Sequence, residues 1–134
     1  MSTLDLNAVM DAVGVRLLTI AGLRVYDFAA DQVAVPAGIV GLPETIEYDS
    51  TFARGSDRVV IPVHLMVSKV SDRAGRDVLG PYIAGSGSKS VKATLDGTLG
   101  GTVQTARVMS TTPQTFRVSD VDYLGATFRV ECYS

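Results

Sequence analysis

Residues 48–73 read YDSTFARGSDRVVIPVHLMVSKVSDR, and their alternation decides the fold class. From Arg58 to Val70, the residues Val59, Ile61, Val63, Leu65 and Val67 fall on one side of an extended chain, and Val60, Pro62, His64, Met66 and Ser68 on the other. Apolar residues at every second position mark a strand, because successive side chains of an extended chain point to opposite faces. Pro62 has no N–H to give to a ladder, which predicts an edge position or a bulge there. Upstream, Thr45–Ser50 also alternates, with Ile46 and Tyr48 opposed to Thr45, Glu47 and Asp49. Together these segments predict a long hairpin from Thr45 to Val70 with a projecting polar tip, TFARGSD (residues 51–57).

Around this hairpin the spacing changes between helix and strand. Residues 3–20 form a helix by periodicity: Leu6, Val9, Val13, Leu17 and Ile20 make one stripe, which Met10, Val15 and Leu18 widen. Ser2 with Asp5 fits a capping box, and Gly22 is the natural stop. Gly14 inside the helix suits close packing. Arg24–Phe28 and Ala37–Leu42 read as strands. A second helix starts near Arg73 behind Ser71 and Asp72, and Gly80-Pro81 should kink or end it. Ser88 is placed to cap a short third helix holding Val91 and Leu95. Val103–Ser110 and Thr115–Val118 read as two strands separated by TTPQ. Asp122–Tyr133 alternates most cleanly, with Leu124, Ala126, Phe128, Val130 and Cys132 on one face, and Tyr123, Thr127, Arg129, Glu131 and Tyr133 on the other. The expected fold is α+β: one domain over residues 1–134, a mostly antiparallel sheet with helices packed on one face.

The totals narrow the function classes. A chain of 134 residues buries a real core without staples, and 46% hydrophobic against 19% charged residues excludes a disordered chain. A net charge of −2 leaves no basic footprint for phosphate backbones, so no nucleic-acid partner is expected. No apolar run approaches the roughly 20 residues of a membrane span, and the acidic start MSTLDLNAVMDAVG is not a secretory signal. With one cysteine, Cys132, an internal disulfide is excluded.

Catalytic, cofactor and metal sites are all expected to be absent. His64 is the only histidine and sits mid-strand without a nucleophile elbow, so a structural or surface role is expected. Cys132 lies on the apolar face of the last strand, as a small buried hydrophobe would. GSGSKS (residues 85–90) misses the phosphate-loop spacing, since Ser88 rather than glycine precedes Lys89. A hydrolase built on His64 is the competing enzyme class. The charges Asp49, Arg54, Asp57, Arg58, Asp72 and Arg73 bracket the long strand around Phe52. They read either as a solvated face or as a register-setting contact with another subunit.

The order RVYDF (24–28), PAGIVGLP (36–43), YDSTFARGSDRVVIPVHLMVSKVSDRAG (48–75) and VDYLGATFRVE (121–131) resembles the tail terminator proteins of long-tailed, siphovirus-type bacteriophages. The resemblance covers most of the chain. It departs at His64 and at Gly75, Gly80 and Pro81, where a more regular helix is expected. It implies a non-enzymatic virion protein of the tail and neck, present in the host cytoplasm during assembly. Such proteins form homohexameric rings on the last ring of the tail tube, stop its elongation and present a surface for head joining. The implied partners are the major tail tube protein and the head–tail connector or stopper proteins. A role as another neck component is the alternative. The family has no catalytic residues to carry over, so the expected interface, Asp49, Phe52, Arg54, Asp57, Arg58, Asp72 and Arg73, rests on the charge pattern around the long strand.

Overall fold

The computed structural model describes residues 6–20, 23–27, 36–47, 57–69, 75–87, 89–97, 99, 105–118 and 120–133. Along them run α1 (Leu6–Leu17), β1 (Arg24–Asp27), β2 (Ala37–Val40), β3 (Thr45–Glu47), β4 (Arg58–Lys69), α2 (Gly75–Ile83), α3 (Val91–Leu95), β5 (Thr105–Val118) and β6 (Val121–Tyr133). The strands form one sheet in the order β1-β2-β4-β6-β5, with β3 pairing β4 beyond the end of β2. Only β1 and β2 are parallel; every other described pair is antiparallel. The fold is therefore α+β with a mostly antiparallel sheet.

Burial follows the alternation read from the sequence. Val59, Ile61, Val63, Leu65 and Val67 of β4 and Ala126, Phe128, Val130 and Cys132 of β6 are buried in one cluster. Val9, Val13 and Leu17 of α1, Leu79 and Tyr82 of α2, and Val91 and Leu95 of α3 join that cluster. All three helices thus cover the same face of the sheet. Each valine, leucine, isoleucine or phenylalanine so removed from water contributes on the order of 1.5–3 kcal/mol.

In α1 the stripe is narrower than expected. Val15 and Leu18 are 62% and 59% exposed. At about 100° per residue they turn away from the Val9–Val13–Leu17 line, so they do not widen the core stripe. The helix tightens as it ends: Leu18 N–H still reaches Gly14 O, but Thr19 and Ile20 N–H bond Arg16 O and Leu17 O. Ser2, Asp5 and Gly22 lie outside the described residues.

Proline is tolerated at three places for three reasons. Pro62 lies in neither an edge strand nor a bulge of its own: β4 is central, and its register shift falls between Met66 and Ser68. The irregularity is on the partner. Gly41 N–H bonds Pro62 O, β2 then leaves the ladder, and pairing resumes at Thr45 opposite Val60. The absent N–H therefore faces the point where one partner strand gives way to the next. Pro81 does not end α2 either, for the helix runs on to Ile83 and Ala84 N–H reaches Gly80 O. Buried Leu79 and Tyr82 anchor the turn on both sides of the exposed proline. Finally, TTPQ does not separate two strands. β5 is continuous through Pro113, which pairs with Ala126. An edge strand leaves every second N–H without a ladder partner, and proline fits there.

The third helix is capped by Ser90, not Ser88. Ser90 Oγ accepts from Ala93 N–H at 3.1 Å and donates to Ala84 O at 2.5 Å. The cap position needs an extended residue just before the first helical turn, which Ser90 supplies. Ser88 lies outside the described residues, as do Phe28, residues 48–56 and 70–74. Of the Thr45–Val70 hairpin, the β3–β4 pairing from Thr45↔Val60 to Glu47↔Arg58 is described and the projecting tip is not.

Two glycines test the packing in opposite directions. A Cβ on Gly125 would sit 1.7 Å from Leu65 O, because β6 crosses the β4 bulge with its backbone almost in contact. A Cβ on Gly14 would meet Val25 Cγ1 at an ordinary 3.6 Å, so close packing does not demand glycine in α1. Chemical denaturation should therefore show Gly125→Ala losing about 3 kcal/mol or more, and Gly14→Ala gaining about 0.5–1 kcal/mol.

Candidate functional site on the uncovered face of the sheet

No described helix covers the second face of the sheet. The register of β4 with β6 puts Arg58, Val60, Pro62, His64 and Met66 on this face beside Tyr133, Glu131, Arg129, Thr127 and Gly125. The β5 register adds Arg107, Ser110, Thr112, Gln114 and Phe116. The face grades from a charged end, through a polar cleft, to an apolar end.

At the charged end Arg58 donates from Nε to Glu131 Oε2 at 2.7 Å and from Nη1 to Glu47 Oε2 at 2.5 Å. A third nitrogen, Nη2, lies 3.6 Å from the Met109 sulfur. Arg107 approaches the other oxygen of Glu131 at 3.6 Å. The bonds to Glu131 and then Glu47 hold the Arg58 guanidinium well above the usual arginine value. Arg58 is thus engaged within its own chain, tying β3, β4 and β6 together where β4 begins.

Of the expected contact residues, Asp57 and Arg58 are described, side by side where β4 begins. Asp49, Phe52, Arg54, Asp72 and Arg73 lie outside the described residues. The positions of Glu47, Glu131 and Arg107 around Arg58 were missed by sequence reasoning. Alternation marked Glu47 and Glu131 as facing away from the core, but only the strand register brings them together.

The middle of the face is an open cleft of about 290 Å³ lined by Glu44, Pro62, His64, Thr112, Gln114, Thr127 and Arg129. His64 stands opposite Thr127, with Nδ1 3.0 Å from the hydroxyl oxygen. Gln114 Nε2 donates to the same oxygen. Arg129 Nε donates to Glu44 Oε2 at 3.2 Å, closing one wall. The His64 ring meets Phe116 edge-on, with centroids 5.6 Å apart. Burial lowers the His64 pKa below the ordinary 6.5, while Glu44 acts in the opposite direction. The imidazole is therefore neutral at pH 7, held by a threonine rather than a carboxylate. The cleft offers hydrogen-bond donors and acceptors on a floor of paired strands.

At the apolar end Ile39, Met66 and Tyr123 are buried against Phe116, Val118 and Val121. Tyr123 shares a face with Thr127 and Arg129, as alternation requires, and is buried there without a helix above it. On the helix side Cys132 is fully buried, and burial, with Glu131, pushes its thiol up to about 12. A thiol so held stays protonated and packs as a hydrophobe. Among the described residues no three His, Cys, Asp or Glu side chains converge as metal ligands would, and no helix is long and apolar enough to cross a membrane.

No protein-family model matches the chain, and no curated protein is significantly similar to it.

The His64 environment sets a pH dependence. The folded histidine binds its proton more weakly than the unfolded one, so the unfolded state holds more protons once pH falls toward 6.5. Stability is then full above that value and declines as pH drops below it, by at most about 1.4 kcal/mol per pH unit from this group. Urea unfolding at pH 7.5 and 5.5 should show a smaller loss in His64→Gln than in the parent protein.

Proposed function

We propose that this chain is a structural virion protein of a long-tailed bacteriophage, a tail terminator. It forms a homohexameric ring on the tail tube, stops tube elongation and offers the surface on which the head is joined. The observation that carries this reading is the motif order RVYDF, PAGIVGLP, TFARGSDR with its following strand and SDRAG, and DYLGA. Two physical features support it. The strands before and after TFARGSD, β3 and β4, are antiparallel neighbours that pair up to Glu47↔Arg58. Among the described residues the sheet is also open, with β1 and β5 as its edges, and an open sheet can meet a neighbour head to tail. A head-to-tail contact whose rotation closes gives a ring, not a filament. In this reading the work of the chain is contact: with its own copies, with the major tail tube protein and with the connector or stopper above.

Native mass spectrometry of the purified protein, alone and with tail tube protein, should show a hexamer in at least one condition. A strict monomer or dimer in both would overturn the ring. Phage lacking the protein should carry overlong tails. Tails of normal length that fail to join heads would instead indicate another neck component. Arg54→Glu in the connection should weaken the ring or its docking while leaving the melting temperature within a few degrees of the parent.

A further inference from the structure

The two edges of the sheet differ in how they are closed. Along the first half of β5 the outer rim is occupied: Ala106 exchanges both backbone hydrogen bonds with Gly97, and Val108 N–H donates to Asp96 Oδ1 at 2.9 Å. Lys92 Nζ stands 3.5 Å from Val108 O. The segment after α3 thus seals this part of the edge. After the register shift between Val108 and Ser110, the residues whose backbone faces away from β6 are Thr111, Pro113, Thr115 and Arg117. Among the described residues no hydrogen bond to their outward N–H or C=O groups is formed. Side chains do not shield the stretch either: Thr112, Pro113, Gln114, Thr115 and Arg117 are exposed.

At the opposite edge, Arg24 N–H donates to Pro36 O, so Arg24 and Tyr26 turn their backbones toward β2. Val25 and Asp27 turn theirs outward. Strand direction matters next. β1 runs with β2, β2 against β4, β4 against β6 and β6 against β5, so β1 and β5 run in opposite directions. A second copy in the same orientation, set beside the first, would bring its β1 antiparallel to β5. The faces agree as well. Val25 lies on the helix side, 3.6 Å from where a Cβ on Gly14 of α1 would stand. Thr115, opposite Leu124, is on that same side of the sheet.

We propose that the open half of β5 receives β1 of a second copy of this chain, with Asp27 opposite Thr115 and Val25 opposite Arg117, so that the sheet continues from subunit to subunit. Pro113 selects the register. Sliding β1 two residues along would put Asp27 opposite Pro113, which has no N–H to give. In the chosen register both outward residues of β1 meet residues with a free N–H and C=O. Val15 and Leu18, exposed on the helix that packs over β1 and β2, add apolar surface beside that edge. The contact is head to tail, and it rests on the ring reading above, whose interface it names.

Directly opposed residues of this kind stand about 5.5 Å apart at Cα, within disulfide reach. Cys132 is fully buried and does not compete. Under mild oxidation the double variant Val25→Cys/Arg117→Cys should give a covalent ladder up to the hexamer, and each single variant none. Dimers from Arg117→Cys alone would mean that β5 pairs with itself and would overturn the proposal. So would hexamers in native mass spectrometry without cross-links, while leaving the ring intact. Monomers under every condition would remove both the edge pairing and the ring. Thr115→Pro deletes an N–H that the subunit itself does not use. It should abolish the hexamer with the melting temperature held within a few degrees of the parent, and a folded Thr115→Pro variant that still forms hexamers would also refute the pairing.

Discussion

The pairing of β4 with β6 is the constraint on which the rest of the structure depends. It runs from Arg58↔Tyr133 to Lys69↔Tyr123, the two alternations in phase as far as the shift between Met66 and Ser68. Because side chains repeat every two residues, a one-residue slip would expel Phe128 and Val130 from the core and bring Arg129 and Glu131 in. Burying two charged side chains without partners costs far more than any ladder geometry could return. The register is therefore set by the hydrophobic pattern, and the neighbours follow from it. β2 and β3 take turns on one side of β4, and β5 lies along the free side of β6.

One consequence is a division of labour between the faces. The helix face is apolar and closed, with α1, α2 and α3 contributing to a single buried cluster. The other face carries the ordered polar chemistry: the Arg58 ion pairs, the Arg129–Glu44 pair and the His64–Thr127–Gln114 contacts. These groups are joined across strands, so they stiffen the sheet where no helix backs it. The close approaches at Gly41, whose added Cβ would lie 2.9 Å from Pro62 Cγ, and at Gly125 belong to the same economy. Gly125 sits at the β4 register shift and Gly41 where β2 leaves the ladder, and both let the strands come nearer than a side chain would permit.

Local pattern made much of this legible. The apolar faces of β4 and β6 and the Val9–Val13–Leu17 stripe could be read because burial and period coincide in them. Reading stopped where a residue's meaning depends on its neighbour in space. Val15 and Leu18 look like core residues to a hydropathy reading, but α1 packs along its Val9–Val13–Leu17 line and they turn away from it. Pro81 and Pro113 look like breaks, but packing on either side of one and an edge position for the other make them tolerable. Spacing alone pointed to Ser88 as the cap of α3. The extended backbone of Ser90 and the nearby Ala84 carbonyl move the cap to Ser90.

The same boundary runs through the site. The sequence by itself determined that the chain folds as α+β around two long alternating strands, because alternation is a local property carried by each residue's immediate neighbours. It also placed His64, Thr127, Arg129 and Glu131 off the core faces of their strands. Tertiary structure alone decided that His64 meets Thr127, that Arg58 is held by Glu131 and Glu47, and that, among the described residues, half of the β5 edge is sealed while half is open. Those facts depend on register and strand order, which join residues up to 73 positions apart and leave no trace in any short window.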